Sequence, residues 1–189
     1  MKKITKLIVF SLASFGYFSV SAQSQDDMKA MQAYMATGPV HQMLGKSVGT
    51  WTAAITMWMA PGGAPSNMMG ESKNEMILGG RYLKATNTGN MMGMPFEGIS
   101  VTGYDNAKKI FVNSWIDNMG TGMMYLEGSW DDQNKSINFK GKTVDPVTGN
   151  DIPVREIIRF PDDNTQLMEM YMTANGTEFK GMEIKFTRK

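Results

Sequence analysis

The chain has 189 residues, with 19 Lys and Arg against 18 Asp and Glu, 20 Met, a single His and no Cys. Without cysteine there are no disulfides, no thiol chemistry and no zinc site built on thiolates. The near-even charge offers no clustered basic face, so nucleic acid is not an expected partner.

The N-terminus reads MKKITKLIVFSLASFGYFSVSAQ. Lys2, Lys3 and Lys6 precede an apolar run from Leu7 to Val20, and Val20-Ser21-Ala22 supplies small residues at a cleavage site. That is the pattern of a secretory signal peptide over 1–22, and a run this short falls below the roughly 20 residues that span a bilayer. With no cysteine after the site, a lipid anchor is excluded and no stable membrane anchor is expected. The reading is an exported protein, periplasmic or extracellular, beginning at Gln23. Removal of three lysines leaves 16 basic against 18 acidic side chains, a net charge of −2.

Residues 23–49 read as a helical segment. Met28, Met31 and Met35 recur on one helix face, with Asp26 and Asp27 in the first turn where they suit the helix dipole. Thr37-Gly38-Pro39 breaks and restarts the chain, Pro39 fitting a first helical position. His41, Leu44 and Val48 share a face of the second helix, which ends at Gly49.

From residue 50 the period changes to two. Trp51, Ala53, Ile55, Met57 and Met59 alternate with Thr52, Ala54, Thr56 and Trp58, and similar strands are predicted near 69–78, 81–88, 95–104, 109–117, 122–130, 135–143, 152–160, 165–173 and 179–187. Two kinds of connection alternate. Gly79-Gly80, Asp105 to Lys108, Asp131 to Asn134 and Pro161 to Asn164 are tight polar turns. Ala60 to Asn67, Gly89 to Met94, Asn118 to Thr121, Val144 to Asn150 and Ala174 to Glu178 are longer or glycine-rich.

In an antiparallel meander alternate turns lie at opposite ends, so the tight turns share one rim and the longer loops share the other. About ten strands with no crossover helix are expected to curl and close. The fold class is therefore all-β: an up-and-down barrel over 50–189, with short N-terminal helices plugging its tidy end. Met68 and Met69, then Met91, Met92 and Met94, then Met119, Met123 and Met124 flank the opposite rim. Three methionines in the stretch NTGNMMGMPF thus belong to the mouth of the barrel.

Two stretches carry a family resemblance. HQMLGKSVGTW, residues 41–51, and the segment from Gly79 to Asp131 resemble a bacterial family of unknown function, domain-of-unknown-function family fifteen-seventy-nine. The matching positions are His41 and Leu44, Gly49 and Trp51, Gly79 to Arg81, Gly103 to Asp105, Trp115 and Asp117, and Gly128 with Trp130 and Asp131. The resemblance implies a lipocalin-like barrel whose Gly49-x-Trp51 opens the first strand and sets the tryptophan across the closed end. It implies no activity, and the methionine richness departs from the family pattern.

Candidate chemistry is sparse. The lone His41 suits an orienting hydrogen bond between helix and barrel better than catalysis. Met91-Met92-x-Met94 and Met168-x-Met170-x-Met172 are soft thioethers compatible with Cu(I), although alternate methionines on a strand also make a packed row or an adaptable pocket lining. Trp115 and Asp117 share a strand face, above Phe111 and Asn113; Asp117 is either a carboxylate aimed at a ligand or the opening residue of an Asx turn. Arg81 and Arg155 lie within predicted strands. An inward arginine would take an acidic ligand or pair with Asp117, Glu127 or Glu156.

No nucleophile elbow, phosphate loop or His-Glu-x-x-His pattern occurs. The expectation is noncatalytic binding of a small apolar molecule in the interior, with Met91, Met92, Met94, Phe96, Trp115, Asp117, Tyr125, Glu127, Arg81 and Arg155 as candidate ligand-binding residues, and with no metal or cofactor. The alternatives are an enzyme using Asp117 or Glu127 as an interior acid or base, and a methionine-rich rim that binds Cu(I) or docks a partner protein.

Overall fold

A computed structural model describes residues 24–174 and 176–189, so the expected signal peptide lies outside the described residues. Two helices, α1 (Gln25–Met35) and α2 (Pro39–Gly45), precede ten strands. These are β1 (Gly49–Met57), β2 (Ser66–Ile77), β3 (Tyr82–Met91), β4 (Met94–Asp105), β5 (Ile110–Asp117), β6 (Met124–Asp131), β7 (Ser136–Val144), β8 (Asp151–Asp162), β9 (Thr165–Ala174) and β10 (Thr177–Arg188). Every strand pairs antiparallel with its sequence neighbour, and β1 pairs with β10 to close the barrel. Closure leaves no edge strand unpaired. Ten strands also enclose a wider interior than the eight of a small lipocalin barrel.

The two helices differ in what they do. Ser24 caps α1 with a reciprocal capping box, its hydroxyl accepting the Asp27 N–H at 3.1 Å while the Asp27 carboxylate accepts the Ser24 N–H at 3.2 Å. Yet α1 buries none of its residues; its last carbonyls are held from outside by Arg81 and Asn106 in the closed-end turns. The plug is α2 alone. Leu44 enters a core with Phe111, Leu126, Ile137, Phe139 and Val154. Burial of a leucine side chain stabilises the docked helix by roughly 2 kcal/mol.

Gly49 and Trp51 explain each other at this end. The buried Trp51 indole donates to the Ser47 carbonyl at 2.9 Å, and the Arg188 guanidinium lies 4.2 Å above its ring while donating to the carbonyls of Lys46 and Val48. A Cβ on Gly49 would stand 2.9 Å from Arg188 Nη1, and its φ of +131° disfavours any side chain. The Gly-x-Trp spacing therefore lets the C-terminal strand strap the floor of the barrel.

The longer mouth loops partly differ from expectation. Gly89 to Met94 is not an open loop: β3 and β4 run on until Met91 pairs with Met94, leaving a two-residue turn, Met92-Gly93. Both turn residues have positive φ, 52° and 84°, as the hairpin twist requires, and Asn90 Oδ1 accepts the Gly93 N–H at 2.8 Å. The β9–β10 connection is similarly short. Methionine thus sits at the mouth as strand ends and one strained turn position, which is why the stretch lacks ordinary loop composition.

Candidate functional site

The ladder registers settle which side chains face the lumen. Opposite residues share a face, so Trp51, Ala53, Ile55 and Met57 on β1 align with Ser72, Gly70, Met68 and Ser66 on β2, and the same count runs around the barrel. Buried Trp51, Phe111, Leu126, Ile137 and Phe139 form the floor. Above them Met57, Met68, Phe96, Trp115, Met124, Met170, Met172 and Met182 face inward yet remain partly accessible. In a closed barrel with a sealed floor, inward residues reach solvent through the mouth.

The lumen has two unlike walls. On β2 to β5 it is polar: Ser72 donates to Asn74 at 2.8 Å, and Asn113 donates to Thr102 at 2.8 Å. On β8, β9, β10 and β1 it is mostly apolar, with Val154 and Ile158 on β8, methionines on β9, Met182 and Ile184 on β10 and Met57 on β1, and with one carboxyl, Glu156. Met168, Met170 and Met172 share one face of β9, as their alternation implies, and the register makes that face the inner one. At the rim, a recess of about 330 Å³ opens between the β1–β2 loop and the β3–β4 turn, lined by Met57, Met59, Met68, Met92, Asn67 and Asn90.

Trp115 and Asp117 face the lumen together beneath the mouth. The Trp115 indole donates to Asp117 Oδ2 at 2.6 Å, while Asp117 Oδ1 accepts the Met119 N–H at 2.9 Å. Both readings of Asp117 therefore meet in one side chain, which opens an Asx turn with one oxygen and fixes an indole with the other. Trp115 stacks on Phe96 with ring centroids 6.3 Å apart and lies across Gly98, where a Cβ would sit 2.5 Å from the ring.

Four candidate residues stand elsewhere than an interior site requires. Tyr125 and Glu127 are exposed on the outer face of β6, where Glu127 pairs with Lys108 at 3.4 Å and accepts from the Tyr125 hydroxyl at 3.5 Å. Their parity is opposite to that of Met124 and Leu126, which fill the lumen. Arg155 also faces out, forked onto Glu178 at 2.7 and 3.0 Å and stacked 3.9 Å above Tyr171. Arg81 belongs to the β2–β3 turn rather than a strand, and donates to Leu78 and Met35 carbonyls. None of these is an inward arginine or carboxylate. Met91 and Met94 face the lumen at its rim, and Met92 is 73% exposed at the tip of its turn.

His41 is a structural residue of α2. Its Nδ1 accepts the Gly38 N–H at 3.1 Å and its ring meets Tyr104 edge-on, so the polar contact lies within the helix start and the barrel contact is aromatic. Burial, then the nearby Arg81 charge, lower its pKa. Among the described residues no group of His, Cys, Asp and Glu is arranged to hold a metal ion, and no helix is long and apolar enough to cross a membrane.

The residue that sequence reasoning undervalued is Glu156. It was expected at most as a partner for arginine, but it faces the lumen, is only 7% exposed, and burial pushes its pKa up to about 7. The available signal was parity: Val154, Glu156 and Ile158 alternate on one face of β8.

No curated protein matches the chain in sequence. Among solved structures, the crystal structure of Rv2717c from M. tuberculosis is similar, with a TM-score of 0.61 at 14% identity, over 82% of this chain and 99% of that one. At that identity the likeness is one of fold, a barrel in both. The sequence profile of the family described as "Protein of unknown function (DUF1579)" matches residues 36–188, from the entrance of α2 to the last strand, and this chain belongs to that family.

Proposed function

We propose that this is an exported binding protein that takes a small, largely apolar ligand into the barrel through its methionine-lined mouth, without chemical turnover. The observation that carries the reading is the gradient along the lumen, from a sealed aromatic and aliphatic floor to inward methionines, Phe96 and Trp115 that stay accessible. An apolar wall with a few placed polar groups is the usual make-up of a small-molecule site, and methionine adapts its shape to an irregular occupant. Export rests on the N-terminal pattern of charged, apolar and small residues.

An enzymatic reading draws little support from its named carboxylates, since Glu127 is outside and both Asp117 oxygens are engaged. A second binding reading has one specific observation in its favour. Met57, Met59, Met68 and Met92 converge on the rim recess from separate parts of the chain, a soft thioether set suited to Cu(I).

Native mass spectrometry of the protein recovered from the exported fraction, with metal analysis on the same sample, tests both readings. An organic mass lost on denaturation supports the lumen as a ligand site. Stoichiometric copper that disappears in Met92→Leu instead favours the rim.

A further inference from the structure

The buried polar side chains of the barrel divide into those that are paired and one that is not. His41 accepts from Gly38, Ser47 from Gln166, Ser72 donates to Asn74, Thr102 accepts from Asn113, and Ser136 accepts from Asn138. Glu156 is as deeply buried as these, and no described residue gives it a hydrogen bond or an ion pair. No fully sealed side-chain oxygen or nitrogen among the described residues lacks a partner, so the Glu156 oxygens keep a small accessible surface on the inner face of β8. Buried carboxyl groups are costly unless something pairs with them.

The charges around it are one-sided. By the strand registers, the ionisable side chains on the inner faces of the described strands are Asp117, Glu156, Arg188 and Tyr104, whose ring packs edge-on against His41 and Phe111. Arg188 is committed to the closed end, donating to the Lys46, Val48 and Asp163 carbonyls. The cations near β8 all lie on the outer face, where Arg155, Arg159, Lys180 and Lys142 are in ion pairs and Lys140 is exposed to solvent. The lumen is therefore an acidic interior with an apolar methionine wall. The groups packed beside Glu156 are Phe139 on β7 and Met170 on β9, with Val154 and Ile158 on its own strand, and none of them titrates; His41 lies below in α2, tied to Gly38.

We infer that Glu156 is the docking group for a cationic nitrogen, and that the ligand class is an apolar chain or ring system bearing an aliphatic ammonium head. The inference rests on the reading of the lumen as a ligand site. Neutral donors are a poorer match, because the lumen places a second carboxylate, Asp117, nearer the mouth and sets no free cation against either acid. Proton balance follows from the burial of the group. Burial raises the carboxyl pKa to about 7, so below neutrality it carries a proton, and an arriving ammonium forms the ion pair while that proton leaves to solvent.

The test uses a matched set of probes, dodecylammonium, dodecanol and dodecanoate, titrated below their aggregation limits into wild type and Glu156→Gln by calorimetry at pH 8. Wild type is expected to prefer the ammonium to the alcohol by about tenfold or more, the size of a charge-assisted hydrogen bond. Glu156→Gln is expected to lose that preference while still binding dodecanol. Should Glu156→Gln not fold, buffers of different ionisation enthalpy decide the matter in wild type, with close to one proton released per ammonium at pH 6 and little at pH 8. Dodecanol binding without an ammonium preference, or a preference that survives in Glu156→Gln with no proton release, overturns the inference and leaves the binding site standing. Failure of all three probes to bind overturns the binding site itself and this inference with it.

Discussion

Trp115 and Asp117 lie two residues apart on one face of β5, and the indole N–H of the first donates to the carboxylate of the second at 2.6 Å. The pair ties the ring lining the mouth to the turn that follows the strand, because the other carboxylate oxygen accepts the Met119 N–H. Fixing an aromatic wall needs a ring seat as well as a hydrogen bond, and Gly98 supplies the seat.

Gly98→Ala is accordingly expected to force the Trp115 ring off its position against Phe96. Overpacking of this kind costs about 1–3 kcal/mol. A urea melt measures the loss, and near-ultraviolet circular dichroism should lose tryptophan fine structure in parallel. Unchanged stability and spectrum would mean the ring does not lie across Gly98.

Glu156 predicts an unusual pH dependence of the unliganded protein. Its folded pKa is raised to about 7 from 4.5, so its stabilising contribution is full below 4.5 and is lost as pH rises through 7. At about 1.36 kcal/mol per pKa unit the loss is of order 3 kcal/mol. Denaturant midpoints across this range should fall in wild type and flatten in Glu156→Leu; parallel curves would contradict the assignment.

Glu169 predicts the opposite sign in a separate window. Hydrogen bonds from Arg159 and then Lys180 hold its pKa at about 2 rather than 4.5, so its contribution is present above 4.5 and fades as pH falls toward 2. Much of the network is solvent-screened on the outer face, which limits the worth of the pairs to roughly 1 kcal/mol. Glu169→Gln should cost about that amount at pH 7 and nothing near pH 2, as read from acid-denaturation curves.

The two helices should respond differently to truncation of a side chain. Leu44→Ala removes a buried plug residue and should cost about 2–5 kcal/mol, whereas Met31→Ala on the exposed α1 should stay within about 0.5 kcal/mol. Equal effects on the thermal midpoint would place α1 in the core as well.

The barrel was legible because period-two alternation and alternating turn types survive in a single sequence. The number and order of strands and the methionine rim follow from them, whereas the place of Trp51 across the closed end follows from the family resemblance. Parity of individual strands was harder. Tyr125 and Glu127 share the alternation of Met124 and Leu126, and without the pairing partners either set fits the lumen. Arg155 was ambiguous for the same reason, since its outside partner Glu178 is distant in sequence. The mouth turns were overestimated because Met92 occupies a positive-φ position that glycine and asparagine normally fill, so the two-residue turn carries no ordinary signature. Glu156 was hidden because an unpaired buried carboxyl runs against the rule by which strand glutamates are read as solvent-facing.

Entry of an apolar chain into the lumen above the floor is read out by contact quenching with a bromine-tipped dodecanol. Trp115 faces that space while Trp51 is sealed in the floor. Saturable quenching at one probe per protein is expected, with most of it lost in Trp115→Phe. Absence of saturable quenching, or quenching undiminished in Trp115→Phe, would contradict it.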